Sequence, residues 1–128
     1  MKEYLLLFRG GYDRIVQQSP KEFLSHMEKW KKWMKDLESK ENFVIAQPLT
    51  QGGKKVAGKN KAVTDGPFME GKEIVGGYLI CKAYTYEGAI QIANGCPVLE
   101  IGGIVEVREI TKMDSITATY MAQNDTTH

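Results

Sequence analysis

The sequence predicts an α+β domain on the ferredoxin-like, split βαβ plan: an antiparallel sheet with two helices on one face. Three observations predict it. Residues 4–8 and 73–83 are short, largely apolar runs punctuated by glycine, the pattern of strands buried in a sheet. Segments opening at Ser19 and Thr85 combine capping residues with helical spacing. Residues 103–110 then return to alternation, the period of a strand. The order is β-α-β-(β)-β-α-β. A chain of 128 residues is one domain, long enough to bury a core without disulfides or metal.

The elements follow in order. Tyr4, Leu5, Leu6, Leu7 and Phe8 form a central strand ended by Arg9-Gly10-Gly11, and a polar loop runs to Ser19. Ser19 at the N-cap, Pro20 at the first helical position and Glu22 three residues after the cap make a capping box. Phe23, Met27, Trp30, Met34 and Leu37 recur at 4-3-4-3 spacing, so they share one arc, with His26 and Trp33 on its edge. Residues 43–46 are a second strand, closed by Gln47-Pro48, and residues 54–58 a weak, exposed one. Asp65-Gly66-Pro67-Phe68 is a breaker cluster. Gly76-Gly77 inside the long strand signals a bulge or a close backbone approach. Thr85 caps a second helix with Tyr86, Ala89, Ile90 and Ala93 on its apolar face, stopped by Asn94-Gly95 and Cys96-Pro97. The domain is assigned to residues 1–110. Residues 111–128, rich in Thr, Asn and Asp with no clear period, are an appendage, either disordered or an arm onto a partner.

Two helices cover only one face of the sheet, while several strands have apolar residues of both phases. The uncovered face is therefore expected to pair with a second copy, giving a homodimer. Seventeen Lys and Arg against sixteen Asp and Glu leave +1, which calls for neither nucleic acid nor an anionic membrane. No apolar run approaches the ~20 residues of a membrane span, and Met1-Lys2-Glu3 leads straight into a strand, so a cytoplasmic location is expected. Cys81 and Cys96 have no ligand spacing and read as small buried hydrophobes. Dinucleotide and Walker glycine fingerprints, a metal cluster and a Gly-x-Ser-x-Gly turn are all missing, and no cofactor is expected.

Five motifs stand in order and register: Val63-Thr64-Asp65-Gly66-Pro67-Phe68, Glu70-Gly71-Lys72-Glu73, Gly76-Gly77-Tyr78, Gly95-Cys96-Pro97 and Val105-Glu106-Val107-Arg108. Together they resemble the YCII-related family, in its DGPF-motif branch, over residues 1–110. The resemblance implies a ferredoxin-like protomer pairing into a dimeric α+β barrel. It also implies relatives that include small enzymes acting on lactones, chlorinated aromatics or quinone-like rings, some with a His–Asp acid/base pair, and others that look like partners of extracytoplasmic-function sigma factors.

Asp65 is the candidate catalytic group: a carboxylate at a strand end can act as acid or base, or merely cap an Asx-turn. Glu106 and Arg108 alternate with Val105 and Val107, so both charges share a face. Arg108 can grip a ligand carboxylate or close a salt bridge, and Arg9 has the same two readings. His26 is either a base beside an opening or a boundary histidine. The resemblance places Trp30, not His26, where relatives tend to have a histidine, a departure from the His–Asp pair. Trp30, Trp33, Phe68 and Tyr78 can line an aromatic pocket, although core packing also accounts for Trp30. Lys54, Lys55, Lys59 and Lys61 read as a solvated hairpin edge.

The functional expectation is a dimeric protein that binds a small organic molecule between sheet and helix, with Asp65, Arg9 and Arg108 as its polar contacts. Weak acid/base activity of a lyase or isomerase kind would be added to that binding. The alternative is a non-enzymatic accessory module whose helices or tail dock a regulator such as a sigma factor. Fold alone decides between neither.

Overall fold

The computed structural model describes residues 1–65 and 74–125. Its elements are β1 (Lys2–Arg9), α1 (Tyr12–Gln17), α2 (Pro20–Ser39), β2 (Phe43–Pro48), β3 (Lys54–Ala57), β4 (Ala62–Asp65), β5 (Val75–Ala83), α3 (Tyr86–Asn94), a 3-10 turn (Pro97–Ile101), β6 (Ile104–Glu109) and α4 (Met113–Gln123). β2, β5, β1 and β6 lie side by side in that order, every pairing antiparallel. This is the ferredoxin-like order, with the first and third core strands in the centre. The hairpin β3–β4 forms a separate two-stranded sheet between the second and third core strands in sequence.

Local chemistry places the helices. The Glu22 amide donates to Ser19 Oγ at 3.1 Å and the Ser19 amide donates to Glu22 Oε1 at 3.2 Å, closing the capping box that starts α2. Thr85 Oγ1 accepts from the Gly88 amide at 3.1 Å at the start of α3. Gly95 ends α3 without a left-handed turn (φ −85°). Its missing side chain makes room instead, because a Cβ there would sit 3.0 Å from Trp33 Nε1, which donates to the Ile92 carbonyl at 3.1 Å.

The helices cover the face of the sheet that carries Tyr4, Leu6 and Phe8 of β1 and Leu79, Cys81 and Ala83 of β5, all buried. Both cysteines are free and buried, and desolvation pushes Cys81 up to about 11 and Cys96 to about 12, so they pack as thiols. The other face shows Leu5, Leu7, Tyr78 and Ile80, each half-buried. Leu5 lies between Ile80 and Arg108, and Leu7 between Tyr78 and Glu106. Val105 and Val107 pack on the helix side, so Glu106 and Arg108 share the open face, as their alternation predicts.

Four expectations are corrected. The loop before Ser19 contains α1, too short to carry a period and lacking a side-chain cap. Residues 62–64, assigned to no strand from sequence, form with Asp65 the second strand of a hairpin. The buried face of α2 is rotated towards the predicted edge: His26, Trp33 and Leu37 are buried, whereas Phe23 and Met27 are exposed. Within the appendage, which shows no period in sequence, residues 113–123 form α4, although none of its side chains is buried. The start of the long strand at Glu73 and the readings on residues 66–72 lie outside the described residues.

Because α4 buries nothing, truncation after Ile110 is expected to shift the melting temperature of the protomer by no more than about 2 °C. A larger drop in a thermal melt would show that α4 packs on a second molecule.

Candidate functional site

A space lies between α2 and the paired ends of β2 and β5. A cavity of about 300 Å³ lies there. α2 supplies His26, Met27, Trp30 and Met34, and the facing sheet edge supplies Gln47 of β2 with Gly76, Gly77 and Tyr78 of β5. Phe8 and Ile15 close the inner side. No charged side chain is in this wall, provided His26 is neutral.

The strands approach closely at this point. β1 and β5 shift register so that Phe8 pairs with Gly77 and Arg9 with Val75, which leaves Gly76 as the extra residue of a bulge. A Cβ on Gly77 would fall 2.8 Å from the Gln47 carbonyl oxygen, so only glycine lets β2 and β5 pair there. Both readings of the glycine pair, bulge and close approach, are therefore correct, one for each residue.

His26 is 5% exposed. Its Nε2 accepts a hydrogen bond from the Trp30 indole N–H at 2.9 Å. An indole nitrogen can only donate, so Nε2 carries a lone pair and the imidazole is neutral. Burial lowers the His26 pKa, nearby Lys29 acts in the same direction, and Glu100 opposes them. Trp30 is also part of an edge-to-face cluster, with its ring 5.0 Å from Phe8 and 5.8 Å from Trp33. It packs the core with one side and lines the cavity with another.

Of the predicted site residues, His26 and Trp30 meet at this cavity; Tyr78 borders it from β5 although its strand phase is that of the open face, and Phe68 lies outside the described residues. Arg9, Glu106 and Arg108 are on the opposite, open face of the sheet. There Glu106 is shared: Oε1 accepts from Arg9 Nε and Oε2 from Arg108 Nη1, both at 3.2 Å. The Arg108 bond, followed by that of Arg9, holds the Glu106 carboxyl below its usual range against a smaller desolvation effect. The described protomer joins these residues in ion pairs, and their strand phase keeps them away from the pocket between sheet and helix.

Asp65 is likewise separate. It ends the exposed hairpin, its side chain is 75% exposed, and its Oδ1 accepts from Lys54 Nζ at 2.6 Å. The expected convergence of Asp65, Arg9 and Arg108 on one ligand does not occur within the described protomer. Asp65→Asn is expected to change stability by less than about 0.5 kcal/mol, because the lost ion pair is solvated. A denaturant titration checks this.

The sequence reading missed the contribution of Gln47, Gly76 and Gly77 to the wall. The signal available was the same glycine pair, read for backbone geometry and not for the space it opens. A larger concavity of about 660 Å³ between α2 and the 3-10 turn is a wide surface groove walled by charged side chains, with Lys29 and Glu100 paired at 2.9 Å. Among the described residues no group of three or more His, Cys, Asp or Glu is placed to hold a metal ion, and no helix is long and apolar enough to cross a membrane.

An antiparallel sheet with helices on one face and a histidine-walled cavity between them defines a small ferredoxin-like α+β protein. The chain belongs to the YCII-related family, whose domain model matches residues 11–114. No curated protein matches it. Among solved structures it is similar to the 5-chloro-2-hydroxyhydroquinone dehydrochlorinase of Burkholderia phenoliruptrix in complex with 2,5-dihydroxybenzoquinone. The identity is 11%, with 88% of this chain and 97% of that chain covered and a TM-score of 0.45.

Proposed function

We propose that the protein binds a small, uncharged, planar organic molecule in the cavity beneath α2. The observation that carries this reading is a nearly apolar cavity of about 300 Å³ walled by a buried, neutral histidine. Binding sites for small molecules have this character: mostly hydrophobic walls with a few placed polar groups. Weak acid/base activity of the lyase or isomerase kind belongs to the same proposal. Because Asp65 is exposed on the hairpin, the group for it is His26, which can take up a proton only after its Trp30 hydrogen bond is released.

The working unit in this reading is a cytoplasmic homodimer of the dimeric α+β barrel type. Leu5, Leu7, Tyr78 and Ile80 support it, since they give the open sheet face an apolar centre. Placement in the DGPF-motif branch belongs to the same proposal and is supported by the five motifs read in sequence, Asp65-Gly66-Pro67-Phe68 among them. One observation favours the second reading, an accessory module for a regulator such as a sigma factor: α4 exposes Met113, Ile116, Tyr120 and Met121.

Thermal-shift measurement against a panel of neutral bicyclic and monocyclic aromatics tests the main reading. Several members should raise the melting temperature of the wild type and leave Ala46→Phe, which fills the cavity from β2, unmoved. A panel that stabilises neither protein, or both equally, rejects the cavity as the binding site. Sedimentation at micromolar concentration tests the dimer, and a stable monomer would reject it.

A further inference from the structure

We propose that Trp30 is a positioning residue that makes His26 a hydrogen-bond donor towards the cavity's occupant, so that the site selects uncharged planar molecules bearing a carbonyl-type acceptor. The inference rests on the binding reading above and deepens it.

The argument begins with what an indole can do. Trp30 Nε1 has one proton and no lone pair available for hydrogen bonding. At 2.9 Å from His26 Nε2 it can only donate, and the imidazole nitrogen it meets must be unprotonated. A neutral imidazole has one N–H, so the proton sits on Nδ1. The lone pair that a general base would use is already occupied by the indole proton. His26 therefore offers an N–H to a ligand, and taking up a proton would first require the Trp30 bond to break.

That N–H has no hydrogen-bond partner among the described residues. An amide oxygen stands in the outer groove that His26 also lines: Gln18 Oε1, buried and unpartnered among the described residues. It is not bonded to His26. The His26 Nδ1 is not among the buried polar atoms left without a partner, so solvent reaches it, and a ligand acceptor in the cavity takes the place of that water. The rest of the cavity wall supplies no charge to balance a cation or an anion. Acceptor-bearing, uncharged and planar is the chemistry that remains, and the edge-to-face cluster of Trp30 with Phe8 and Trp33 keeps the indole from turning away.

The test pairs a tautomer measurement with two isosteric probes. In nitrogen NMR of histidine-labelled protein, His26 should show the Nδ1–H tautomer in the wild type. Acetophenone and α-methylstyrene have nearly the same shape and differ in a carbonyl oxygen against a methylene. The wild type should bind acetophenone about tenfold tighter. His26→Phe should bind both, with that preference gone. Trp30→Phe keeps an aromatic ring and deletes the indole N–H, so Nε2 is released. The histidine signal should then move towards the Nε2–H tautomer and its titration midpoint should rise. A purely structural Trp30 would lower stability without moving the tautomer.

An Nε2–H tautomer in the wild type overturns the proposal. So does equal binding of the two probes, which is the result expected if Nδ1–H turns to Gln18 Oε1 in solution. Binding of neither probe overturns the cavity reading itself, and the inference with it. Should Trp30→Phe fail to fold, the wild-type tautomer and the probe ratio still decide.

Discussion

Gly77→Ala is expected to lower stability by about 3 kcal/mol, at the upper end for an overpacked site, and the melting temperature by roughly 10 °C. The added Cβ would lie 2.8 Å from the Gln47 carbonyl oxygen and 3.2 Å from the Pro48 Cα. Both are backbone atoms of β2, so neither can swing aside as a flexible side chain would. Relief requires β2 to peel from β5 at the cavity rim, where the Leu49 amide donates to the Gly76 carbonyl at 2.9 Å. The neighbouring glycine is the control. A Cβ on Gly76 meets only the Phe8 carbonyl oxygen, at 4.0 Å, and its φ is not left-handed. Gly76→Ala should therefore be neutral or stabilising by up to about 1 kcal/mol, through lost freedom of the unfolded chain. Chemical denaturation of the two variants side by side checks the pair. Equal losses would show that the strand simply dislikes alanine, and that close approach is not the reason for Gly77.

Much of the frame was legible because its signals are local. The capping box of Ser19 and Glu22 and the alternation of Val105, Glu106, Val107 and Arg108 each depend on a few neighbouring residues, and each is realised. Longer-range geometry was less legible. A 4-3-4-3 stripe on α2 defines an arc of about 100°, but which edge of that arc meets the sheet is set by how the helix lies across it. The structure turns His26 and Trp33 inward and leaves Met27 at the cavity, a rotation no periodicity reveals. α1 and α4 escaped for another reason: neither buries a residue, so neither needs an apolar face in its sequence.

The candidate site shows the same limit. Strand phase correctly placed Glu106 and Arg108 together, yet it could not tell that their face is turned away from α2's cavity. Asp65 drew attention because a carboxylate in a breaker cluster has two readings. Its position on a hairpin outside the main sheet, with Lys54 as its ion-pair partner, is a property of tertiary structure. His26 was legible as a residue of interest, but the partner that sets its chemistry is Trp30, four residues on. That spacing puts the two side chains on one helical face, where an i, i+4 hydrogen bond is geometrically available.

Acid is expected to destabilise the protein first through His26. Its pKa is lowered in the folded state from 6.5, chiefly by burial, so the folded protein favours the neutral ring more than the unfolded chain does. The resulting stability is complete above 6.5 and is lost as the pH falls below that value towards the folded-state pKa. The charged groups around the ring are Lys29, which works with burial, Glu100 of the 3-10 turn, which opposes it, and Lys21 and Glu22 in the outer groove. Glu100 is already paired with Lys29, so it does not neutralise an imidazolium unaided. Protonation also sets an N–H on Nε2 against the Trp30 indole N–H, two donors facing each other at the present 2.9 Å. Tryptophan fluorescence should therefore change in the same pH range as the melting temperature. The Glu106 carboxyl is held below its ordinary 4.5, so its contribution is retained above 4.5 and disappears at lower pH, separate from the histidine range. Melts at intervals between about pH 8 and about pH 5 should show a fall that is absent from His26→Phe, which cannot take up the proton. A wild-type profile that stays flat until the carboxylate range would show that the ring admits water or leaves its pocket on protonation without cost, and the tight packing of His26 on Trp30 would have to be abandoned.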